Sequence, residues 1–395
     1  MAFFVFFVSV HWTKSPLILF LLLMLGLNVQ RFLTYSAKPN EPLDLRQLYA
    51  GAQVLDSGAN PYNDSLLKEH WKHHFSEKEL KGSPLPGGPE NYLVYPPPVL
   101  VSFIPLSHWA WYDARALFWT LCAAAVVLIG LFASGSFHLN KLLPGLLILL
   151  AFKGTYTALI LGQPLLFSLL FILIHFYAES KNRPALSGLF LALAFLKPSL
   201  ALPIVFFLIA ERKYKSLLYS LGFSSLALIL LLLSSGPTSF GDQFSGWFHN
   251  MNAQLAVAYS PEHDFLRHNL TSLSSWIYSL SGYDFSPADT FLVLFTSLIT
   301  VYLRLKKRIQ ALTSLVLLIT LSFLFSYHLY YDLLLFICLL YYVDLSRLPA
   351  KFLLPFLVFY LPLGYLLPSF NFHPPLLLVL LFLVIYRLNL KREAA

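Results

Sequence analysis

The chain has 395 residues, of which 57% are hydrophobic and 12% charged, with a formal net charge of +8. A soluble domain carries about a quarter charged residues, so this composition excludes a soluble enzyme, and repeated apolar runs near membrane-spanning length indicate an all-α polytopic membrane protein. The Lys and Arg excess gathers in short connectors, which is the positive-inside pattern and not a nucleic-acid surface; Cys122 and Cys338 lie in apolar runs and supply neither a disulfide framework nor metal spacing.

At the start, residues 3–10 and 17–27 have the hydrophobicity of a signal peptide. No basic segment precedes them and no small-residue cleavage site follows, so a retained first membrane helix is expected over 15–33. A long polar loop, 36–92, comes next. Its stretch 42–62 predicts an amphipathic helix at the water boundary. Pro42 suits a first turn; Leu45, Leu48, Ala52 and Leu55 form one apolar face; Gly58 and Asn60-Pro61 supply the stop. Asp44 falls in the first turn, where a carboxylate serves either the helix dipole or catalysis as a base. Beyond it the loop is charged, with Lys68, Glu69, His73, His74, Glu77 and Lys78, and glycines and prolines at 82–84 and 87–89 make it irregular.

The chain re-enters the bilayer at Tyr95-Pro96-Pro97-Pro98, and two short spans are expected at 98–109 and 114–133. The apolar region 142–176 is too long for one helix; it contains Lys153 and a break at Gly162-Gln163-Pro164. Region 186–209 is interrupted by Lys197-Pro198, which leaves two halves too short to span alone and predicts a re-entrant or tilted pair. A span at 217–233 opens into a second long polar loop, 234–287. This loop carries Trp247, His249, Asp264, Arg267, His268 and Asn269. A span at 291–303 ends in the basic run 304–308, and apolar segments follow at 312–325, 329–342, 352–366 and 376–386. The total is roughly 11–13 transmembrane helices in one membrane domain covering 1–395. Basic connectors at 179–183, 211–215 and 304–308 place both long loops on the opposite, extracytoplasmic side.

Several polar residues stand out against this apolar background. A cation at mid-bilayer costs about 2.5–3.5 kcal/mol or more, so Lys197 either snorkels to an interface or meets a lipid-linked phosphate. His328 and Asp332 share one helical face. They belong either to an aromatic belt with Tyr327, Tyr330 and Tyr331 or to a site. Arg267-His268-Asn269 is a solvated loop or a phosphate contact, and Gln163 caps a break or meets substrate. Asn63-Asp64-Ser65 and Asn269-Leu270-Thr271 match the glycan-acceptor pattern. Nucleotide-binding glycine motifs, the His-Glu-x-x-His zinc pattern, the Gly-x-Ser-x-Gly elbow and an Asp-x-Asp pair are absent. No cofactor and no metal are called for.

Taken in order, Asp44-Leu45-Arg46-x-x-Tyr49, Gly58-x-Asn60-Pro61-Tyr62, Tyr95-Pro96-Pro97, Gly162-Gln163, Leu196-Lys197-Pro198 and Asn269-Leu270-Thr271-Ser272-Leu273 resemble glycosyltransferase family 87 (DUF2029-type). These are the polyprenol-phosphate-sugar-dependent enzymes of the GT-C superfamily, among them mannosyltransferases that build mycobacterial phosphatidylinositol mannosides. Pro164 stands where the family usually has Asn, and Leu270-Thr271 replaces its Gln-Ser. The resemblance implies a GT-C-type fold in a bacterial cytoplasmic membrane, with the active site facing outward. It implies transfer of a hexose, mannose by default, from a polyprenyl-phosphate sugar to a lipid or glycan acceptor, by inverting displacement. Asp44 maps onto the general base. Lys197, Arg267, His268 and His328 are the candidate donor-phosphate contacts. Arg46, Tyr49, Asn60, Tyr62, Tyr95, Gln163, Asn269 and Asp332 are the candidate substrate contacts. The rival readings are a lipid or sugar transporter without chemistry, which broken helices would suit, and an assembly subunit.

Overall fold

The computed structural model describes residues 16–37, 42–73, 92–134, 146–147, 149–234, 240–259, 270–283, 286–326, 328–336, 374–375 and 377–379. Among these residues every regular element is helical, and strand-like pairing is confined to one bridge between Leu270 and Leu329.

Helix α1 spans Pro16–Ser36 and α2 spans Leu43–Asp56. The expected helix after Pro42 is therefore present, but its surroundings differ from the expectation. From Leu45 to Leu55 every residue except Gln53 is buried. The helix packs on α3 (Asp64–Lys72), on α4 (Pro97–Ser107) and on α6 (Lys153–Leu161). An apolar stripe had suggested one covered face and one wet one. The second face is instead closed by aromatic side chains from afar. The rings of Tyr49, Trp71 and Trp111 meet edge-on, with centroids 5.3 Å (Tyr49–Trp111), 4.8 Å (Trp71–Trp111) and 6.4 Å (Tyr49–Trp71) apart. Such aromatic contacts add about 0.5–1.5 kcal/mol each beyond area burial. Tyr49 Oη donates to the Trp109 carbonyl at 2.7 Å, and Gln53 Nε2 donates to the Ser107 carbonyl at 3.1 Å. Burial pushes the Tyr49 phenol up to about 12, against a lowering by its hydrogen bond with Gln53, so Tyr49 stays neutral and serves as a strut.

The start of the charged stretch folds as α3, while His74, Glu77, Lys78 and the glycine- and proline-rich positions 82–84 and 87–89, expected to be irregular, lie outside the described residues. Asn63 caps α3, its Oδ1 accepting from the amides of Ser65 at 3.0 Å and Leu66 at 3.3 Å. The extended residues 92–95 then stitch the two polar regions together. Tyr62 Oη donates to the Tyr95 carbonyl at 2.7 Å, and Trp247 Nε1 to the Val94 carbonyl at 2.9 Å.

Helix α5 (Trp111–Ser134) is followed by the pair α6 and α7 (Leu165–Ser180), bent by 119° at the expected Gly162-Gln163-Pro164 break. The expected break at Lys197-Pro198 likewise separates α8 (Pro184–Ala194) from α9 (Pro198–Ala210). Helix α10 spans Tyr214–Ser234. The second polar loop contains α11 (Phe240–Tyr259) and α12 (Leu273–Ser281), the latter capped by Ser272. Helices α13 (Ser286–Leu305) and α14 (Ala311–Phe325) follow, and a 3₁₀ turn covers Tyr330–Leu334 at the start of the span expected at 329–342, whose residues 337–342 lie outside the described residues. Among the described residues three helices, within α5, α10 and α13, are long and apolar enough to cross a membrane, or four if the bent pair forms one span. The chain is an all-α membrane protein. The segment expected at 352–366 and most of that at 376–386 lie outside the described residues.

The basic connectors turn sharply. Asn182, Arg212 and Lys307 adopt left-handed φ of 54°, 56° and 56°, which ends a helix without glycine. The connectors also meet one another. Arg304 pairs with the Glu211 carboxylate, Nη2 to Oε2 at 3.1 Å, while Nη1 donates to the Ile309 carbonyl at 3.2 Å. Ser187 Oγ donates to Glu179 at 2.6 Å, and Lys213 lies 3.4 Å from the same carboxylate.

Candidate active site

The site begins with a glycine. Gly162 caps α6 with φ +70°, and an added Cβ would lie 2.7 Å from both Leu45 Cβ and Pro42 Cγ. The break is thus pressed against the first turn of α2, with no room for a side chain. Gly162→Ala should destabilise the fold by more than about 1 kcal/mol, because the conformation is strained for an L-residue. It should also push α2 away and abolish activity. Unfolding in detergent and an activity assay on the same preparation check both. Full activity at unchanged stability would show that the contact is dispensable.

Immediately after this glycine, Gln163 reaches two ways. Its Nε2 donates to Asp44 Oδ2, and its Oε1 accepts from Lys197 Nζ at 3.3 Å. The carboxylate needs a donor and the ammonium an acceptor, so the two neighbours fix the amide orientation. Lys197 Nζ also donates to Asp332 Oδ1, and the ammonium lies 4.5 Å from the centroid of the Tyr331 ring. Asp332 Oδ2 lies 3.1 Å from His328 Nδ1, and His328 Nε2 lies 3.1 Å from Ser322 Oγ. The carboxylate accepts from Nδ1–H, which leaves Nε2 to accept from the Ser322 hydroxyl. One continuous run of polar contacts, Asp44–Gln163–Lys197–Asp332–His328–Ser322, therefore joins elements from across the chain.

Burial grades along this run. Asp332 and His328 are buried, with 2% and 0% of their surface exposed, whereas Asp44 is only partly buried and the Lys197 side chain keeps 13% of its surface exposed. The reachable end is the Asp44–Lys197 end. Asp332 and His328 hold Lys197 from behind. The His328 carbonyl is itself fixed by the Thr271 amide at 2.9 Å, so part of the Asn-Leu-Thr motif positions this element.

Three helices start here. Asp44 is the second residue of α2, Gln163 lies two before α7, and Lys197 immediately precedes α9. Helix N-termini carry partial positive charge and present unpaired amides. The far ends of α7 and α9 carry the basic connectors at 181–183 and 211–213, about 20–24 Å away at 1.5 Å per residue.

Of the other predicted site residues, Arg46 is fully buried, its guanidinium 5.5 Å from the centroid of the Trp71 ring. Tyr49 and Tyr62 are committed to backbone carbonyls as described, and burial holds the Tyr62 phenol well above its ordinary range. Asn60 Oδ1 accepts from the Tyr62 amide at 3.0 Å, and Tyr95 offers its carbonyl to Tyr62. These five build the frame beside the site. Arg267, His268 and Asn269 lie outside the described residues.

A family model described as glycosyltransferase family 87 matches residues 92–326, more than half of the chain. The chain belongs to glycosyltransferase family 87. No curated protein and no solved structure matches it. This family 87 chain is a membrane glycosyltransferase, which removes the transporter and the assembly subunit as primary readings. The matched region contains Gln163 and Lys197, while Asp44 precedes it and His328 and Asp332 follow it.

Two features beside this contact run escaped the sequence. Ser322, inside an apolar helix, reads as an ordinary small residue. Lys153 lies 4.7 Å from the centroid of the Tyr330 ring, whose hydroxyl bonds Thr157. Two lysines thus sit against consecutive tyrosines, and the signal available for Lys153 was a cation inside an apolar run.

Proposed function

We propose that this transferase moves a hexose, with mannose the first candidate, from a polyprenyl-phosphate donor to a lipid or glycan acceptor at the outer face of a bacterial cytoplasmic membrane. The observation that carries the reading is the Asp44–Gln163–Lys197 contact run at three helix starts, opposite the basic connectors. Asp44 takes the proton of the acceptor hydroxyl. The acceptor oxygen forms a bond to the anomeric carbon while the bond from that carbon to the phosphate oxygen breaks, and the electron pair leaves on the phosphate. One carboxylate suffices for such a direct displacement, which inverts the anomeric centre; a retaining double displacement would need a second carboxyl group as nucleophile.

Lys197 has three N–H donors. Gln163 and Asp332 take two and leave one for an oxygen of the leaving phosphate. The N-termini of α7 and α9 add positive potential to the same spot, which is electrostatic stabilisation aimed at charge that develops as the bond breaks. Because the donor carries its own lipid chain, the apolar helices around α4 are suited to receive it. The basic connectors at the far ends of α7 and α9 support an outward-facing site by the positive-inside rule.

The test supplies membranes containing the chain with labelled polyprenyl-phosphate mannose, glucose or arabinose and a crude envelope lipid and glycan extract. Expected is transfer from one lipid-phosphate donor with inversion at the anomeric carbon. Retention, or transfer from a nucleotide sugar in membranes stripped of lipid carrier, would sink the proposal.

A further inference from the structure

Two cations outside the contact run meet between α1 and α6, and no step of the transfer mechanism uses them. Asn28 pins α1 to the segment just before α6: its Nδ2 donates to the carbonyls of Leu150 at 3.0 Å and Ala151 at 3.1 Å. Arg31 follows Asn28 by three residues, so it lies near the same face about one turn further along α1. Lys153 follows Ala151 by two and is the first residue of α6. The guanidinium is thereby brought close enough to act electrostatically on the ammonium. Both side chains are half-buried. Lys153 is also held from the other side. Its ammonium lies 4.7 Å from the centroid of the Tyr330 ring, whose hydroxyl bonds Thr157. That ring meets the Tyr331 ring, which carries Lys197, edge-on at 5.9 Å. Each lysine thus rests on its own tyrosine of one 3₁₀ turn.

The chemistry of this pair narrows its ligand. Two like charges held together in an apolar protein repel, and an anion between them turns that repulsion into attraction. Arginine offers a planar fork that matches the oxygens of a phosphate, and lysine adds a mobile point charge. The surroundings select a lipid. Leu23, Leu27, Arg31 and Tyr35 recur every four residues and form one ridge along α1, and Leu23, Leu27 and Tyr35 are exposed. Apolar surface therefore runs from the cation toward the start of α1, and a phenol stands on the opposite side, one residue before the helix ends. Tyrosine at the headgroup level with leucine at chain depth is the pattern of a membrane boundary. A phosphate seated on Arg31 has a place for its hydrocarbon chain along Leu27 and Leu23.

We propose that Arg31 and Lys153 form a second site, distinct from the Asp44–Lys197 end, that binds the phosphate of a membrane lipid whose chain lies along the Leu23–Leu27 ridge of α1. The inference goes beyond the transfer reading and does not depend on it, since no reaction step passes through this site. Two kinds of lipid supply the same chemistry, a bulk anionic phospholipid and a polyprenyl phosphate, and the experiment compares them.

Full-length protein in detergent is titrated with phosphatidylglycerol, a polyprenyl phosphate or diacylglycerol, and bound lipid is counted by native mass spectrometry. Expected is tight binding of a phosphate-bearing lipid and none of diacylglycerol. The affinity should fall by about tenfold or more in Arg31→Gln/Lys153→Gln, the loss of charge-assisted contacts, and should survive in Lys153→Arg. Arg31→Gln alone should move in the same direction, so the test stands even where the double variant does not fold. Lys306→Gln/Arg308→Gln removes two exposed cations from the connector after α13 and should change nothing. In the Lys197→Met/Asp332→Asn background, which lacks the transfer-site cation, the fall should persist. Tighter binding of phosphatidylglycerol assigns the site to a bulk phospholipid, and tighter binding of the polyprenyl phosphate assigns it to a carrier lipid. Unchanged binding in the Arg31 and Lys153 variants, an equal loss in the connector variant, or equal binding of diacylglycerol overturns the proposal.

Discussion

Asp44→Asn is expected to lower the rate of sugar transfer by about 10²-fold or more while leaving the fold intact. Asn keeps the size of the side chain, and its carbonyl oxygen still accepts the Gln163 amide, so the contact that fixes Gln163 survives. What it cannot do is take a proton from the acceptor hydroxyl. As a helix-dipole partner alone, Asp44 would contribute about 0.3–1 kcal/mol of stability, and its loss would slow nothing. Initial rates with labelled polyprenyl-phosphate donor at matched protein decide between the two roles. Equal rates for wild type and variant would reduce Asp44 to a first-turn carboxylate and send the search for a base elsewhere along the contact run.

The second large effect is expected at Lys197. Its partner Asp332 is enclosed by protein, so Lys197→Met strands a buried carboxylate. Removing one member of a buried ion pair costs about 3–5 kcal/mol, whereas replacing both is often close to neutral. The double variant Lys197→Met/Asp332→Asn should therefore regain most of the lost unfolding stability. It should regain none of the transfer, because the N–H aimed at the leaving phosphate is still missing. Denaturant unfolding and transfer rates on the same three proteins separate the roles. A double variant that recovers both would make the pair a structural device only.

These expectations depend on contacts that were legible in the sequence to different degrees. The two helix breaks could be read directly, because Gly162-Gln163-Pro164 and Lys197-Pro198 combine a helix-breaking residue with a polar side chain in an apolar run. That the two breaks touch could not be read. Periodicity reports the local face of one helix and says nothing about which distant element covers it. The same limit explains α2. Leu45, Leu48, Ala52 and Leu55 announced one buried face, but the closure of the other by Trp71 and Trp111 is a tertiary fact. It also covers Arg46, Tyr49 and Tyr62. Polar residues near a candidate base invite a reading as substrate contacts, and the packing of Arg46 on Trp71 and the hydrogen bonds of Tyr49 and Tyr62 to the carbonyls of Trp109 and Tyr95 are tertiary facts that no local pattern contains. Asn63-Asp64-Ser65 matched a glycan-acceptor pattern, yet Asn63 is occupied as a helix cap. The spacing of His328 and Asp332 suggests one helical face, but His328 and Leu329 precede the 3₁₀ turn that holds Asp332, with Leu329 extended; the two side chains meet across that turn, and their link to Lys197 is a tertiary contact that no local pattern contains.

The ion pair between Lys197 and Asp332 joins residues 135 apart in the chain, and this has a consequence for biogenesis. At about 5–20 residues per second, the ribosome needs on the order of 7–27 s after making Lys197 to deliver its counter-charge. Throughout that interval the lysine is flanked by two apolar helices, α8 and α9, of 11 and 13 residues, each short for a span of about 20. Neither half commits the cation to mid-bilayer, so it can wait at the headgroup level until the Tyr330–Leu334 turn arrives. The break that later aims Lys197 at a substrate thus also lets a nascent, unfinished chain carry a charge through an apolar stretch without ejecting it.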